Sequence, residues 1–409
     1  MLSNFEKDLP QESIKLLHCA IDSARALKIP IYLVGGPVRD LLLGRACDDL
    51  DLVVVGQVQH LSSVISDRLG AEVVYHNQFG TATIILDTHR LDLTTARKEF
   101  YKYPGSLPEV TAGSLMDDLH RRDFTINAMA IELGVRPALI VDPYGGRQDL
   151  EERTVNALHH LSFKDDPTRI LRAIKFEQRL GFELGQYTEK WIRKSLSNGV
   201  LDSISNFRLQ RELNQIFREH SAKHSIVRAG TLGFWEALFR PLGNASWIND
   251  LPERNVHKQD TRFISAVSYN LSRVESEEFI RRLDMPKNWR NSVRDIVSLK
   301  EIESELKLEG LSNADIYERL KGHDAEALAV FADYSTSVKV RCRVHRYLEK
   351  WRHIQIFLTG KDLIALGIRT GPHIREMIDI LRRAHLNGNI ITRQDESDLV
   401  RVHIKKTGG

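Results

Sequence analysis

Strand-forming patterns crowd into the first ~145 residues and nearly vanish after Glu151, an asymmetry that calls for a sheet-bearing head followed by a helical remainder. Ile31–Val34, Leu50–Val55, Glu72–Tyr75, Thr81–Leu86 and Arg90–Thr94 are short, mostly β-branched runs bounded by Gly, Asn or Asp, which predicts five strands. Met129–Leu133 and Ala138–Val141 read as a final pair. A helix is expected before the first strand, in SIKLLHCAIDSARAL, and another over Gln59–Leu69. Farther on, apolar residues recur at helical spacing in Asp166–Leu180, Gln186–Ser195, Phe207–Glu219, Arg262–Arg273, Glu277–Leu283, Asn291–Glu305 and Ala314–Lys321. Asp324–Arg352, Lys361–Arg369 and Pro372–His385 continue the pattern, so the chain is expected to be predominantly helical overall.

Bulk composition excludes more than it identifies. A hydrophobic share of 42% and a charged share of 28% suit a globular chain and exclude wholesale disorder. No apolar run reaches the roughly 18–20 residues that span a bilayer, and the opening MLSNFEKDLPQES lacks the pattern of a signal peptide. No membrane association is therefore expected. Cys19, Cys47 and Cys342 share no metal-ligand spacing and make no disulfide framework, so a reducing cytoplasm is the expected setting. With 58 Lys+Arg against 55 Asp+Glu, the net charge of +3 gives no global sign of a nucleic-acid partner; any such sign must be local.

Three local constellations carry chemistry. In the first, a strand runs into Gly35-Gly36, Arg39 follows in the next helix, and Asp49-Leu50-Asp51 opens a second strand. The glycines let backbone approach a ligand, N–H groups entering a helix suit a phosphate, and a guanidinium there can grip its oxygens. Asp49 and Asp51, at i and i+2, leave one strand face together, as a pair of Mg²⁺ ions requires for in-line displacement at phosphorus. Each part alone is ordinary; together they indicate a nucleotidyltransferase of the DNA polymerase β type. Asp92, in Leu91-Asp92-Leu93, fits the third carboxylate of such a site, the alternative being an ordinary strand aspartate.

The second constellation is Arg121-Arg122-Asp123 with Asn127. Arg122 suits a triphosphate, Asp123 suits ribose hydroxyls, and Asn127 supports Asp123 if the segment is a helix with both on one face. Asp123 as a helix cap with solvated arginines explains the segment equally in isolation. The third is Asp166, Arg169, Arg172 and Lys175, three residues apart on one expected helix. A carboxylate beside a guanidinium presents an acceptor next to a donor, which matches cytosine and adenine and leaves uracil and guanine with unpaired groups. The plainer alternative makes Asp166, before Pro167, a helix start and the basic residues a solvated face.

GGPVRD, DLD, RRDFTINAMA and DDPTRILRAIKF, in this order over about residues 31–182, resemble the signature motifs of the class II tRNA nucleotidyltransferase and poly(A) polymerase family. ISNFRLQREL at Ile204–Leu213 is similar to a fifth, helical motif, and LTGKDLIALG followed by GPHIREMIDIL looks like the family's C-terminal tail. The resemblance implies an α/β nucleotidyltransferase head with a five-stranded sheet, followed by all-α neck, body and tail, here residues 1–150, 151–220, 221–350 and 351–409. It implies template-independent transfer of CMP and/or AMP from CTP and ATP to the 3′ end of tRNA, with Mg²⁺ as cofactor. By position it implies catalysis at Asp49, Asp51 and Asp92, with metal held by Asp49 and Asp51. Nucleotide contacts would fall on Gly35, Gly36, Arg39, Arg122, Asp123, Asn127, Asp166, Arg169, Arg172 and Lys175.

Three departures from the family pattern stand out. Asp165-Asp166 replaces the usual Glu-Asp and is followed by Pro167, Lys175 replaces an arginine, and the segment 96–110 differs from the family's loop. That loop matters in the family for switching from C to A addition, so CC-only and A-only enzymes remain alternatives, beside a poly(A) polymerase and a catalytically inactive RNA-binding relative. His76-Asn77-Gln78-Phe79-Gly80 is closer to the tRNA enzymes than to poly(A) polymerases. His159-His160 are expected on the neck surface. The tRNA acceptor arm and elbow are expected on a basic track made of Lys339–Arg352, Arg375, Arg382, Arg383, Arg401, Lys405 and Lys406. No protein partner is inferred.

Overall fold

A computed structural model describes residues 9–45, 50–76, 80–135, 137–243, 251 and 259–407. They fall into two compact units, Met1–Leu238 and Phe239–Gly409.

In the first unit, α1 (Gln11–Ala26) precedes β1 (Ile31–Val34), α2 (Gly36–Leu42), β2 (Asp51–Val54), α3 (Val58–Leu69), β3 (Glu72–His76), β4 (Thr81–Leu86) and β5 (His89–Thr95). These are the five expected strands, each within one or two residues of its expected bounds. Two short strands further along, Ala130–Glu132 and Ile140–Val141, add to the β1 edge and complete a seven-stranded sheet. Its order, by those ranges, is β3-β4-β5-β2-β1 followed by the added pair, and only β2 and β5 pair in parallel.

Period-two alternation gives the sheet two dissimilar faces. Leu33, Leu52 and Leu93 sit side by side in register and are fully buried or nearly so. Val34, Val53 and Ala130, on the opposite face, pack with Ala96 and Leu119. Asp51 and Asp92 pair in register and alternate with Leu52 and Leu93, so both lie on the Val53 face. Leu119 comes from a helix, Leu115–His120, whose start is secured by a capping box between Ser114 and Asp117.

The segment 96–110, expected as a loop, instead forms a separate hairpin of β6 (Arg97–Phe100) and β7 (Glu109–Ala112). Its strands read RKEF and EVTA, without the apolar alternation that betrays a half-buried strand. With the helix just named as α4 (Leu115–His120), the order continues through β8 (Ala130–Glu132), β9 (Ile140–Val141), α5 (Gly146–Glu151), β10 (Thr154–Val155), α6 (Ser162–Asp165) and α7 (Thr168–Leu180). Then come β11 (Glu183–Leu184), α8 (Gln186–Ser197), α9 (Asn206–Arg218), α10 (Ala222–Leu232) and α11 (Phe234–Leu238). Helix α7 starts two residues later than expected, because Asp166 before Pro167 is extended, at φ −135° and ψ 96°.

The second unit is helical throughout its described residues. Gln259–Ser268, Lys287–Glu301 and Ala325–Tyr334 pack on one another. The stretch expected as one helix over Asp324–Arg352 is broken: Ser337 caps a new helix, Val338–Glu349, by accepting from Val340 N–H. That helix buries Val340, Val344 and Tyr347. Of its basic residues, Lys339 pairs with Glu309, Arg341 donates to Ser335 O and Arg343 to Leu308 O, while Arg346, and Lys350 and Arg352 just beyond the helix, are exposed. Arg382, Arg383 and Arg401 pair with Asp379, Asp315 and Asp398; Arg375, Lys405 and Lys406 are exposed. The last helix, Arg393–Thr407, buries Glu396, whose carboxylate takes the N–H groups of Phe357 and Leu358. No helix among the described residues is long and apolar enough to cross a membrane.

Candidate active site

Asp51 opens β2 at the rim of a cavity of about 630 Å³ in the first unit. Asp92 is its neighbour across the parallel β2–β5 pairing. One Asp92 oxygen accepts from Thr83 Oγ1 at 2.6 Å, and the other lies 4.0 Å from Arg90 Nε. Two neighbouring carboxylates on one sheet face are donors suited to a hard divalent cation. Asp49, the other expected ligand, lies outside the described residues. Among the described residues no group of three or more His, Cys, Asp or Glu is assembled to hold a metal. Of the expected carboxylates, Asp51 and Asp92 are the two that the described residues include.

The turn after β1 depends on Gly35. Its φ of +73° and ψ of −127° belong to a region open essentially to glycine, and a Cβ there would lie 2.5 Å from Arg122 Nη1. Gly36 begins α2 and lines the cavity. Gly35→Ala is expected to cost about 1–3 kcal/mol of stability from backbone strain alone. Arg122, a lining residue of the cavity, must also move. A thermal melt checks the loss.

Asp118, fully buried, organises the double arginine. One of its oxygens accepts from Arg121 Nε and Nη2 at 3.0 and 2.8 Å, the other from Arg122 Nη2 at 2.9 Å. Glu99 of the hairpin takes Arg97 and Arg121 on one oxygen and the Tyr101 hydroxyl, at 3.0 Å, on the other. Burial pushes the Tyr101 phenol well above its ordinary value. Arg122 is left with a buried Nε that has no hydrogen-bond partner among the described residues. Its side chain lines the cavity, so an anionic acceptor entering there would satisfy it.

Asp123 and Asn127 do meet, but not on an α-helix: Thr125–Asn127 is a single 3₁₀ turn. Asn127 Nδ2 donates to Asp123 Oδ1 at 3.0 Å, which also takes Phe124 N–H, while Oδ2 takes Arg172 Nε at 2.8 Å. Both carboxylate oxygens therefore serve Asn127, Phe124 and Arg172, and a ribose hydroxyl would have to share them. Burial opposes ionisation of Asp123, but the Arg172 charge and the bonds from Asn127 and Arg172 outweigh it and hold the carboxyl below its ordinary range. The same partner raises Arg172. Arg39, also buried, donates to Asn127 Oδ1 at 2.6 Å and to both Asp40 oxygens. Arg39 and Arg172 lie 5.1 and 5.6 Å from the centre of the Phe176 ring, a contact that favours cations held over an aromatic face.

Arg169, Arg172 and Lys175, spaced by three on α7, all line the cavity. Asp166 lines it too, and Asp166 and Arg169 each bond to other groups. Arg169 is buried and donates to Ser162 Oγ at 3.0 Å and Arg121 O at 2.7 Å. Asp166 Oδ1 instead takes Thr168 N–H, Thr168 Oγ1 and Arg208 Nη2. Helix-start duty and an ion pair thus occupy the same oxygen. Lys175 donates to Gln215, and burial lowers its pKa. His159, expected at the surface, stacks on His120 with ring centres 5.4 Å apart, and burial brings it down to about 4. His160 is exposed.

Of the expected residues, Gly36, Arg39, Asp51, Arg122, Asp123, Asn127, Asp166, Arg169, Arg172 and Lys175 line one cavity; Gly35 lies behind Arg122 and Asp92 beside Asp51. Phe176 and five residues given no part from sequence, Glu99, Tyr101, Arg121, Arg179 and Gln215, complete the lining. Seven basic side chains and four acidic ones face this space, a balance that attracts a polyanion.

Residues 31–156 match the family model of the poly(A) polymerase head domain. An A-adding tRNA nucleotidyltransferase of Geobacter sulfurreducens is 35% identical over 95% of this chain, which spans about half, 47%, of that relative's length. An A-adding tRNA nucleotidyltransferase of Halalkalibacterium halodurans is 31% identical over 96% of this chain and 93% of its own. A Thermotoga maritima CCA-adding enzyme, solved in complex with tRNA, superposes with a TM-score of 0.78 at 28% identity, over 98% of each chain. With a head-domain match, near full-length relatives and a shared fold in agreement, the chain belongs to the tRNA nucleotidyltransferase family.

Proposed function

We propose that this chain adds CMP and/or AMP, from CTP or ATP, to the 3′ end of tRNA without a nucleic-acid template. The observation that carries the reading is the cavity that faces Asp51 with the basic side chains of α7 and of Arg121-Arg122. In the reaction the terminal 3′ hydroxyl attacks the α-phosphorus, a new P–O bond forms, and pyrophosphate leaves with the old one. Asp49 and Asp51, with Asp92 beside Asp51, would hold divalent cations such as Mg²⁺, which when bound would supply charge neutralisation at the reacting phosphoryl group.

The remaining work belongs to side chains of this chain. Arg122, with its unpartnered Nε, and Arg39 bind triphosphate oxygens. Asp123 holds Arg172 at the wall, and Lys175 and Arg172 add positive charge where the nucleotide enters. Asp166 offers its acceptor to the base edge, with Arg169 on the same wall. The exposed Arg346, Lys350, Arg352, Arg375, Lys405 and Lys406 of the second unit bind tRNA phosphates.

A narrower reading, addition of A alone, is favoured by the names of the relatives that span nearly the whole chain. Three tRNA substrates, ending at the discriminator base, at C and at CC, each offered labelled CTP or ATP, separate the possibilities. AMP on the CC-ended substrate is the expected result, and CMP on the shorter two would extend the activity to full CCA addition. No incorporation on any of the three overturns the proposal, and long A tracts on unrelated RNA would replace it with poly(A) synthesis.

A further inference from the structure

The ion-pair partner of Asp166 is Arg208 of α9. One amino group of Arg208 donates to Asp166 Oδ1 at 2.8 Å, and the other to Gly105 O at 3.0 Å. Gly105 belongs to the connection between β6 and β7, and that connection is docked beside Asp166 in two further ways. Its N–H is shared between Lys164 O and Asp165 O, at 3.2 and 3.3 Å. At φ +71° a Cβ on Gly105 would stand 2.4 Å from Ser203 O, so the turn fits there only as glycine.

Three donors converge on Asp166 Oδ1: Thr168 N–H at 3.0 Å, Thr168 Oγ1 at 2.6 Å and the guanidinium at 2.8 Å. Together they fix the plane of the carboxylate. The two donors from Thr168 ride on the same chain segment as Asp166, so only Arg208 refers its orientation to the rest of the unit. Arg208 itself does not line the main cavity; it lines a smaller neighbouring one of about 260 Å³, to which Asp166 also contributes.

We infer that Arg208 is a positioning residue for nucleotide choice: it aims the Asp166 carboxylate and couples that aim to the Gly105 turn of the β6–β7 hairpin. The inference rests on the reading that Asp166 takes part in base selection. A bridge that merely stabilised the unit would, when cut, slow all four nucleotides alike. A bridge that aims an acceptor changes the ratios between them, because a misdirected carboxylate no longer penalises the wrong base edge.

The full-length variants R208Q, R208K and D166N, assayed with each of ATP, CTP, UTP and GTP on CC-ended tRNA, test this. D166N should collapse the discrimination against UTP and GTP. R208Q should weaken it about tenfold, the scale of one charge-assisted hydrogen bond, chiefly through nucleotide KM. R208K, whose single ammonium can reach Asp166 or Gly105 O but cannot bridge them with a planar fork, should fall between R208Q and the parent. R208K carries the test alone if R208Q does not fold. Collapse in D166N with parental ratios in both Arg208 variants overturns the inference and leaves the Asp166 reading standing. Parental ratios in D166N overturn both.

Discussion

Replacing Asp51 with alanine is expected to lower nucleotide incorporation about a thousandfold, the size of a loss of several kcal/mol of transition-state stabilisation. The fold should barely notice. Asp51 is exposed at the first position of β2, whereas the strand is held by Leu52, Val53 and Val54, all nearly fully buried. Exposed substitutions of this kind usually change stability by about 0.5 kcal/mol or less. Affinity for tRNA should also persist, because phosphate neutralisation by Lys and Arg supplies it. Incorporation, a melting curve and tRNA binding measured on one preparation check all three. A loss of less than tenfold would remove Asp51 from the reaction.

The largest loss of stability is expected at Asp118. Its carboxylate is fully buried and takes charge-assisted bonds from both Arg121 and Arg122, whose side chains are themselves only 18% and 16% exposed. Asp118→Ala leaves two largely buried guanidinium groups with reduced compensation, which typically costs about 3–5 kcal/mol. For a unit of this size that corresponds to a fall in melting temperature of about 10 °C. Asp118→Asn, nearly the same shape, should lose much of this too, since the amide nitrogen cannot accept from an arginine. The effect propagates to the wall of the cavity, because Arg121 O anchors Arg169. A melting temperature within about 2 °C of the parent would show that solvent screens these pairs far more than their burial indicates.

How legible the molecule was in its sequence depended on where its stabilising groups lie along the chain. The five main strands announce themselves because β-branched residues alternate along them and Gly, Asn or Asp ends them. The β6–β7 hairpin does not, since RKEF and EVTA are held by Glu99 bonding Arg97 and Arg121 rather than by an apolar face. The break between Ala325–Tyr334 and Val338–Glu349 is signalled only by Ser335 and Ser337, a weak mark within a long helical pattern. In the candidate site, spacing by three on α7 identified Arg169, Arg172 and Lys175 as residues of one wall. The ion-pair partner of Asp166 was not legible, because Arg208 lies 42 residues away and sequence proximity carries no trace of it. ISNFRLQREL pointed to the right helix without saying which of its residues reaches back. Asp118 stood next to the double arginine in sequence, but nothing there showed that it is buried.

The lining of the cavity comes from residues scattered between Gly36 and Gln215. Residues 31–156 contain every acidic residue of that lining except Asp166, yet they lack Arg169, Arg172, Lys175 and Arg179. On the roles proposed above, chemistry and choice fall largely on separate stretches of one gene, with the Gly105 turn as the point where they touch. On that assignment, substitutions along α7 and α9 would retune which nucleotide is welcomed while β2 and β5 stay as they are, so a lineage would change its product without rebuilding its reaction centre.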